Sequence, residues 1–177
     1  MDDLTKPKRF QPILASRAGE GNAWILTFLV FIIWLFMRLS GQKLSWSVTA
    51  FLAFFALVAC LISLGNWVER HTLIMMDADG ISFENGLREV RLNWGEIEHV
   101  WVKPSVWGKR VRVQGKGKQF DFHTLGEVKY KGTVKAHTGF AEGDEMIRRI
   151  VLNSGLGIAE DLGDSYSYTR KDGGHLE

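Results

Sequence analysis

Hydrophobicity along the chain is concentrated in two continuous runs, residues 23–37 and 46–68, and gives way after residue 70 to short alternating apolar and polar positions. Crossing about 30 Å of hydrocarbon takes roughly 20 helical residues at a rise of about 1.5 Å each. The second run meets this length from Leu44 to Val68; its polar members are Ser, Thr, Cys60 and Asn66, which can bond a helix carbonyl or pack closely against a neighbour. The first run, fifteen uncharged residues, reaches spanning length when extended from Asn22 to Leu39 with the Arg38 guanidinium snorkelled to the headgroups. Trp24, Trp34, Trp46 and Trp67 lie mostly near the run ends, where such rings anchor at membrane interfaces. The connector Ser40-Gly41-Gln42-Lys43 permits only a tight turn, so the pattern predicts an antiparallel transmembrane hairpin over 22–69.

Basic residues set the expected orientation. Lys6, Lys8, Arg9 and Arg17 precede the spans and Arg70, Arg88 and Arg91 follow them, against Arg38 and Lys43 at the connector. This predicts a multi-pass protein of the cytoplasmic membrane with both termini in the cytoplasm. Residues 1–21 are a polar arm whose basic residues lie well upstream of the apolar run, and no small-residue cleavage pattern follows that run. The first helix is therefore expected to be retained and the arm to be a mobile leader.

Beyond Glu69-Arg70 the alternation signals strands. His71 to Met76 reads as the first, ended by the turn Asp77-Ala78-Asp79-Gly80, and residues 81–84 as the second. Asn85-Gly86 is a hairpin turn into a strand over 87–93. A bend at 94–98 leads to a strand over 99–103, stopped by Pro104. Val111 and Val113 alternate with Arg110, Arg112 and Gln114, so the next strand has one apolar and one basic face. The turn at 115–118 returns it into 119–123, where Phe120 and Phe122 share a face. Segment 126–139 is weakly alternating and reads either as a final hairpin or as an irregular loop. Residues 142–153 place Met146, Ile147, Ile150 and Val151 at helical spacing behind an acidic first turn, with a Ser154-Gly155 stop. Strands buried on one side followed by one amphipathic helix predict a curled antiparallel sheet plugged by that helix. The tail 157–177 has too little apolar content to fold and is expected to be disordered.

Composition narrows the function classes. A mean hydropathy near zero is the average of these two unlike parts. The net charge of +2 argues against nucleic acid as a partner. The single cysteine, Cys60, excludes intrachain disulfides and thiolate metal clusters.

The order of elements adds a resemblance. Two spans followed by Thr72-Leu73-Ile74-Met75-Met76-Asp77-Ala78-Asp79-Gly80-Ile81, and then by Leu92-Asn93-Trp94-Gly95-Glu96-Ile97-Glu98-His99-Val100, resemble the bacterial PH-like domain families. There a strand, D-x-x-G-I, strand, W-x-E-I, strand series follows a pair of membrane helices. The likeness covers residues 24–155. It implies an α+β protein: an N-terminal transmembrane helical hairpin, then a PH-like antiparallel sheet or barrel over 70–156 capped by a C-terminal α-helix. In it Gly80 serves a turn, and Trp94 and Ile97 fill a core. It transfers no catalytic or ligand-binding residue.

The strongest functional signal is basic. From Trp101 to Lys118 the chain carries Lys103, Lys109, Arg110, Arg112, Lys116 and Lys118 and no acid. Beside a bilayer, such charges attract anionic headgroups by about 1 kcal/mol each; the alternative is a solvated strand face with its turns. Trp101 and Trp107 flank the stretch, either as exposed interaction residues or as closers of a small core. His71, His99, His123, His137 and His175 show no metal-ligand spacing. Asp77 and Asp79 are too few oxygen ligands for calcium. Gly115-Lys116-Gly117-Lys118 lacks the pattern of a phosphate-binding loop, and no Ser or Cys has a nucleophile elbow.

The sequence therefore predicts no enzyme and no cofactor. It predicts a membrane-anchored module that binds a membrane or cytoplasmic protein, or alternatively anionic lipid headgroups through Lys103–Lys118. Trp107 joins the six cations as a contact residue, and homo-oligomerisation is compatible with the sequence.

Overall fold

The computed structural model describes residues 7–14, 16–42, 45–106, 108–130 and 132–170. The chain divides into a helical unit, Ser16–Glu69, and a sheet unit made of Met1–Ala15 with Arg70–Glu177.

The helical unit holds α1 (Ala18–Leu39, 22 residues) and α2 (Trp46–Arg70, 25 residues). Both are long and apolar enough to cross a membrane. Their large side chains face outwards, among them Phe28, Ile33, Phe36, Phe51, Leu57 and Leu61. So much exposed apolar surface is costly in water and suited to lipid. α1 starts four residues upstream of the expected Asn22, because Glu20 finds partners there. Its carboxylate accepts from Ser63 Oγ at 3.0 Å and from Asn66 Nδ2 at 2.9 Å, both on α2. It also sits at the positive end of its own helix dipole. Trp24 Nε1 donates to Ser63 Oγ at 2.9 Å, and Trp34 Nε1 to Thr49 Oγ1 at 3.3 Å. These bonds set the antiparallel register, so two tryptophans read as interface anchors also join the helices to each other.

In the sheet unit, β1 (Lys8–Phe10), β2 (Leu73–Met76), β3 (Gly80–Glu84) and β4 (Glu89–Asn93) form one antiparallel sheet in the order β1-β2-β3-β4. A second sheet has the order β10-β11-β5-β6-β7. Its strands are β5 (Ile97–Ser105), β6 (Gly108–Gly115), β7 (Lys118–His123), β10 (Glu160–Asp161) and β11 (Tyr166–Thr169). β8 (Gly126–Tyr130) and β9 (Thr133–Thr138) form a two-stranded antiparallel sheet, so 126–139 is a hairpin. The protein is thus α+β with antiparallel sheets, and these sheets do not close into a barrel.

Local chemistry explains the turns. Gly86 takes φ 75° while Asn85 Oδ1 accepts from the Leu87 and Arg88 amides, closing the β3–β4 hairpin. Gly80 is packed so tightly that a Cβ would collide with the Leu92 carbonyl. Trp94 opens a 3-10 turn, Trp94–Glu96, capped by Asn93 and Glu96, and its Nε1 donates to the Asp77 carbonyl at 3.1 Å. One core fills the unit: Ile74, Ile81 and Leu92 from the first sheet, Val100, Val102, Val111, Val113, Phe120 and Phe122 from the second. Over it lies α3 (Gly143–Ser154), which buries Met146, Ile147 and Ile150 and ends on Gly155 at φ 63°.

Both ends of the chain depart from expectation. The N-terminal arm is no mobile leader over residues 8–10. β1 pairs with β2, placing Phe10 opposite Ile74, and Phe10 is wholly buried. The tail is not disordered over 157–170 either: β11 pairs with β5, Tyr166 opposite Val102 and Tyr168 opposite Val100. Arg170 secures it by donating to the carbonyls of Gly95 (2.9 Å), Trp94 (3.1 Å) and Ser154 (3.0 Å). Each end is short and mostly polar, but each completes the hydrogen bonding of a ready-made strand edge and slots aromatic rings against the core.

Candidate functional site

Strand alternation sorts β5, β6 and β7 into two faces. The inner face carries the core valines and phenylalanines. The outer face carries three cross-strand rows: Lys103–Arg110–His123, Trp101–Arg112–Asp121 and His99–Gln114–Gln119. Trp101, Lys103, Arg110, Arg112 and Gln114 line a shallow groove of about 350 Å³ on this face.

Asp121 organises the charge. Arg112 binds it in fork geometry, Nε to Oδ1 at 2.9 Å and Nη2 to Oδ2 at 3.2 Å. Arg110 Nε donates to Oδ2 at 3.2 Å, with its Nη2 in close contact with the same oxygen. Burial pushes the Asp121 carboxyl up, but the bonds from Arg112 and Arg110 outweigh it and hold the group below the usual carboxylate range. The same bond to Asp121 raises the Arg112 guanidinium. Burial, then the charge on Arg110, push the His123 imidazole down. His99 stacks on Trp101 with ring centroids 5.0 Å apart and 18° between planes. Trp101 is half-buried and lies outside the core, which decides between its two sequence readings in favour of the outer face.

The basic run from 101 to 118 is therefore divided. Lys103, Arg110 and Arg112 come together. Lys109 turns away to bind Asp144 at the start of α3 at 2.9 Å, a bond that raises its ammonium. Lys118 donates to the Arg91 carbonyl at 3.4 Å, and Lys116 is exposed in the β6–β7 turn. Trp107 lies outside the described residues. Sequence reasoning missed Asp121, although its signal was present: a two-residue turn at Lys116-Gly117 pairs Gly115 with Lys118 and hence Arg112 with Asp121. His99, two residues from Trp101 on one strand, was legible in the same way.

Chemically, the face offers bidentate donors for oxyanions, an aromatic wall and neutral polar groups. Among the described residues, no group of three or more His, Cys, Asp or Glu side chains is placed to hold a metal ion. No family model, no curated protein and no solved structure matches the chain.

Proposed function

We propose that the chain is a non-catalytic, membrane-anchored module of PH-like fold that binds a protein partner at the cytoplasmic membrane surface, in a scaffold or assembly role. The observation that carries this reading is the make-up of the outer face: two arginines, a tryptophan, two histidines and glutamines around a single groove lysine. Arg and Trp are enriched at the centres of protein interfaces, where Lys is depleted. Headgroup recognition drew its force from six cations acting together, and three of the six lie elsewhere.

Connectivity supports the anchor. β1 and β2 are neighbours in one sheet, and the chain leaves that sheet into α1 and returns to it from α2. Both ends of a two-span hairpin then belong on one side of the bilayer, and the flanking basic residues favour the cytoplasmic side.

The test is photo-cross-linking of the full-length chain in native membranes from Gln114, with exposed Leu87 as a control position. A discrete protein adduct from Gln114 alone is expected. Lipid adducts without a protein adduct, with salt-sensitive binding to anionic vesicles lost on neutralising Arg110, Arg112, Lys116 and Lys118, would establish headgroup recognition instead.

A further inference from the structure

Resting on the protein-binding reading, we infer that the groove beside Trp101 receives an acidic, extended segment of the partner, whose carboxylates are taken by Lys103 and Arg110.

Three observations point to this chemistry. First, Lys103 and Arg110 are directly opposite each other across β5 and β6, and His123 faces Arg110 from the other side. Lys103 and Arg110 are like charges, a destabilising cross-strand pair, and the imidazole of His123, depressed by burial and then by the Arg110 charge, reflects the same positive field. No acid lies in that row, and an arriving carboxylate relieves it. Second, three cations share one carboxylate, so the groove keeps two uncompensated positive charges; among the described residues Lys103 has no ion-pair partner. Third, Asp121 shows what these guanidinia accept, because it occupies both of them as a carboxylate bound through Nε and Nη2 atoms. Trp101, backed on one ring face by His99, supplies an apolar wall for the body of the segment.

Asp121 thus acts as a built-in competitor for the incoming carboxylates. This gives the inference a signature that a merely structural role would not share: removing the Asp121 charge strengthens binding.

The experiment measures fluorescence anisotropy of a short labelled peptide of alternating Glu and Val. It is titrated with the full-length chain in zwitterionic nanodiscs, beside the same peptide with Gln for Glu. The acidic peptide is expected to bind and the Gln peptide not. Lys103→Gln with Arg110→Gln weakens binding about tenfold or more. Asp121→Asn strengthens it about threefold, and Lys118→Gln leaves it unchanged. Equal binding of the two peptides, no effect of the double substitution, or weakened binding by Asp121→Asn at an unchanged unfolding midpoint overturns the inference. So does binding to vesicles of phosphatidylcholine and phosphatidylserine in place of the peptide. A protein adduct from Gln114 without acidic-peptide binding overturns this inference alone and leaves the protein-binding reading standing.

Discussion

Lys8 and Glu145, 137 residues apart in the chain, meet Nζ to Oε2 at 2.9 Å, and Glu145 Oε1 in turn accepts from Arg149 Nε at 2.8 Å. The pair fastens the strand before the helical hairpin to the last helix of the sheet unit. The Lys8 bond, opposed by burial and aided by Arg149, holds the Glu145 carboxyl below its ordinary value of 4.5. Below that value the unfolded chain takes up a proton before the folded one does. The stabilisation is therefore full at neutral pH and is lost as pH falls through the folded value. Glu145→Gln should lower stability at neutral pH by up to about 1 kcal/mol and flatten the acid limb. Denaturant midpoints of the full chain in micelles, taken from neutral to acid pH, check this.

Phe10 makes the same fastening apolar. It is wholly buried and faces Ile74 across the β1–β2 pair. Phe10→Ala should cost about 3–5 kcal/mol, as for other buried aromatic truncations. A mobile leader would show no change, so the unfolding midpoint decides.

His123 gives a pH dependence of a different origin. Burial and the Arg110 charge, only partly offset by Asp121, depress its imidazole below the ordinary 6.5. As pH falls below that value the unfolded chain gains the proton first, so stability should fall with pH there. His123→Gln should remove this slope. NMR titration of the ring should place its midpoint below that of a free histidine.

Gly80, which opens β3 opposite Asn93, and Gly95, inside the 3-10 turn that follows β4, differ in room. A Cβ on Gly80 meets the Leu92 carbonyl and the Asn93 Cα, whereas one on Gly95 meets nothing within 4 Å. Gly80→Ala should destabilise by about 1–3 kcal/mol, and Gly95→Ala should be near neutral. Paired thermal melts compare them directly.

Cys60 tests the hairpin. It lies on α2 with its side chain on the outer surface of the helix pair. In intact membranes it should resist a membrane-impermeant maleimide applied from either side and react only after denaturation. Labelling in intact membranes would contradict a spanning helix.

Much of this molecule is legible in one dimension, and the limits of that reading are physical. Continuous apolar runs specify α1 and α2, because a run that long without turn residues or alternation fits a helix and not a strand. Alternation and turn chemistry specify β2 to β7, and the 3.6-residue period specifies α3. These signals are local, so the sequence carries them unaided. β1 and β11 have no such signal. Strands of three and four residues are stable only because an edge is already there to pair with, and that edge comes from residues far away in the chain. The site follows the same rule. A run of six cations is visible along the chain, but the pleat sends Lys109 away from Arg110. The β6–β7 register brings in Asp121, which the run itself does not contain. Charge count belonged to the sequence; which charges share a face, and which acid they share, was decided by strand pairing.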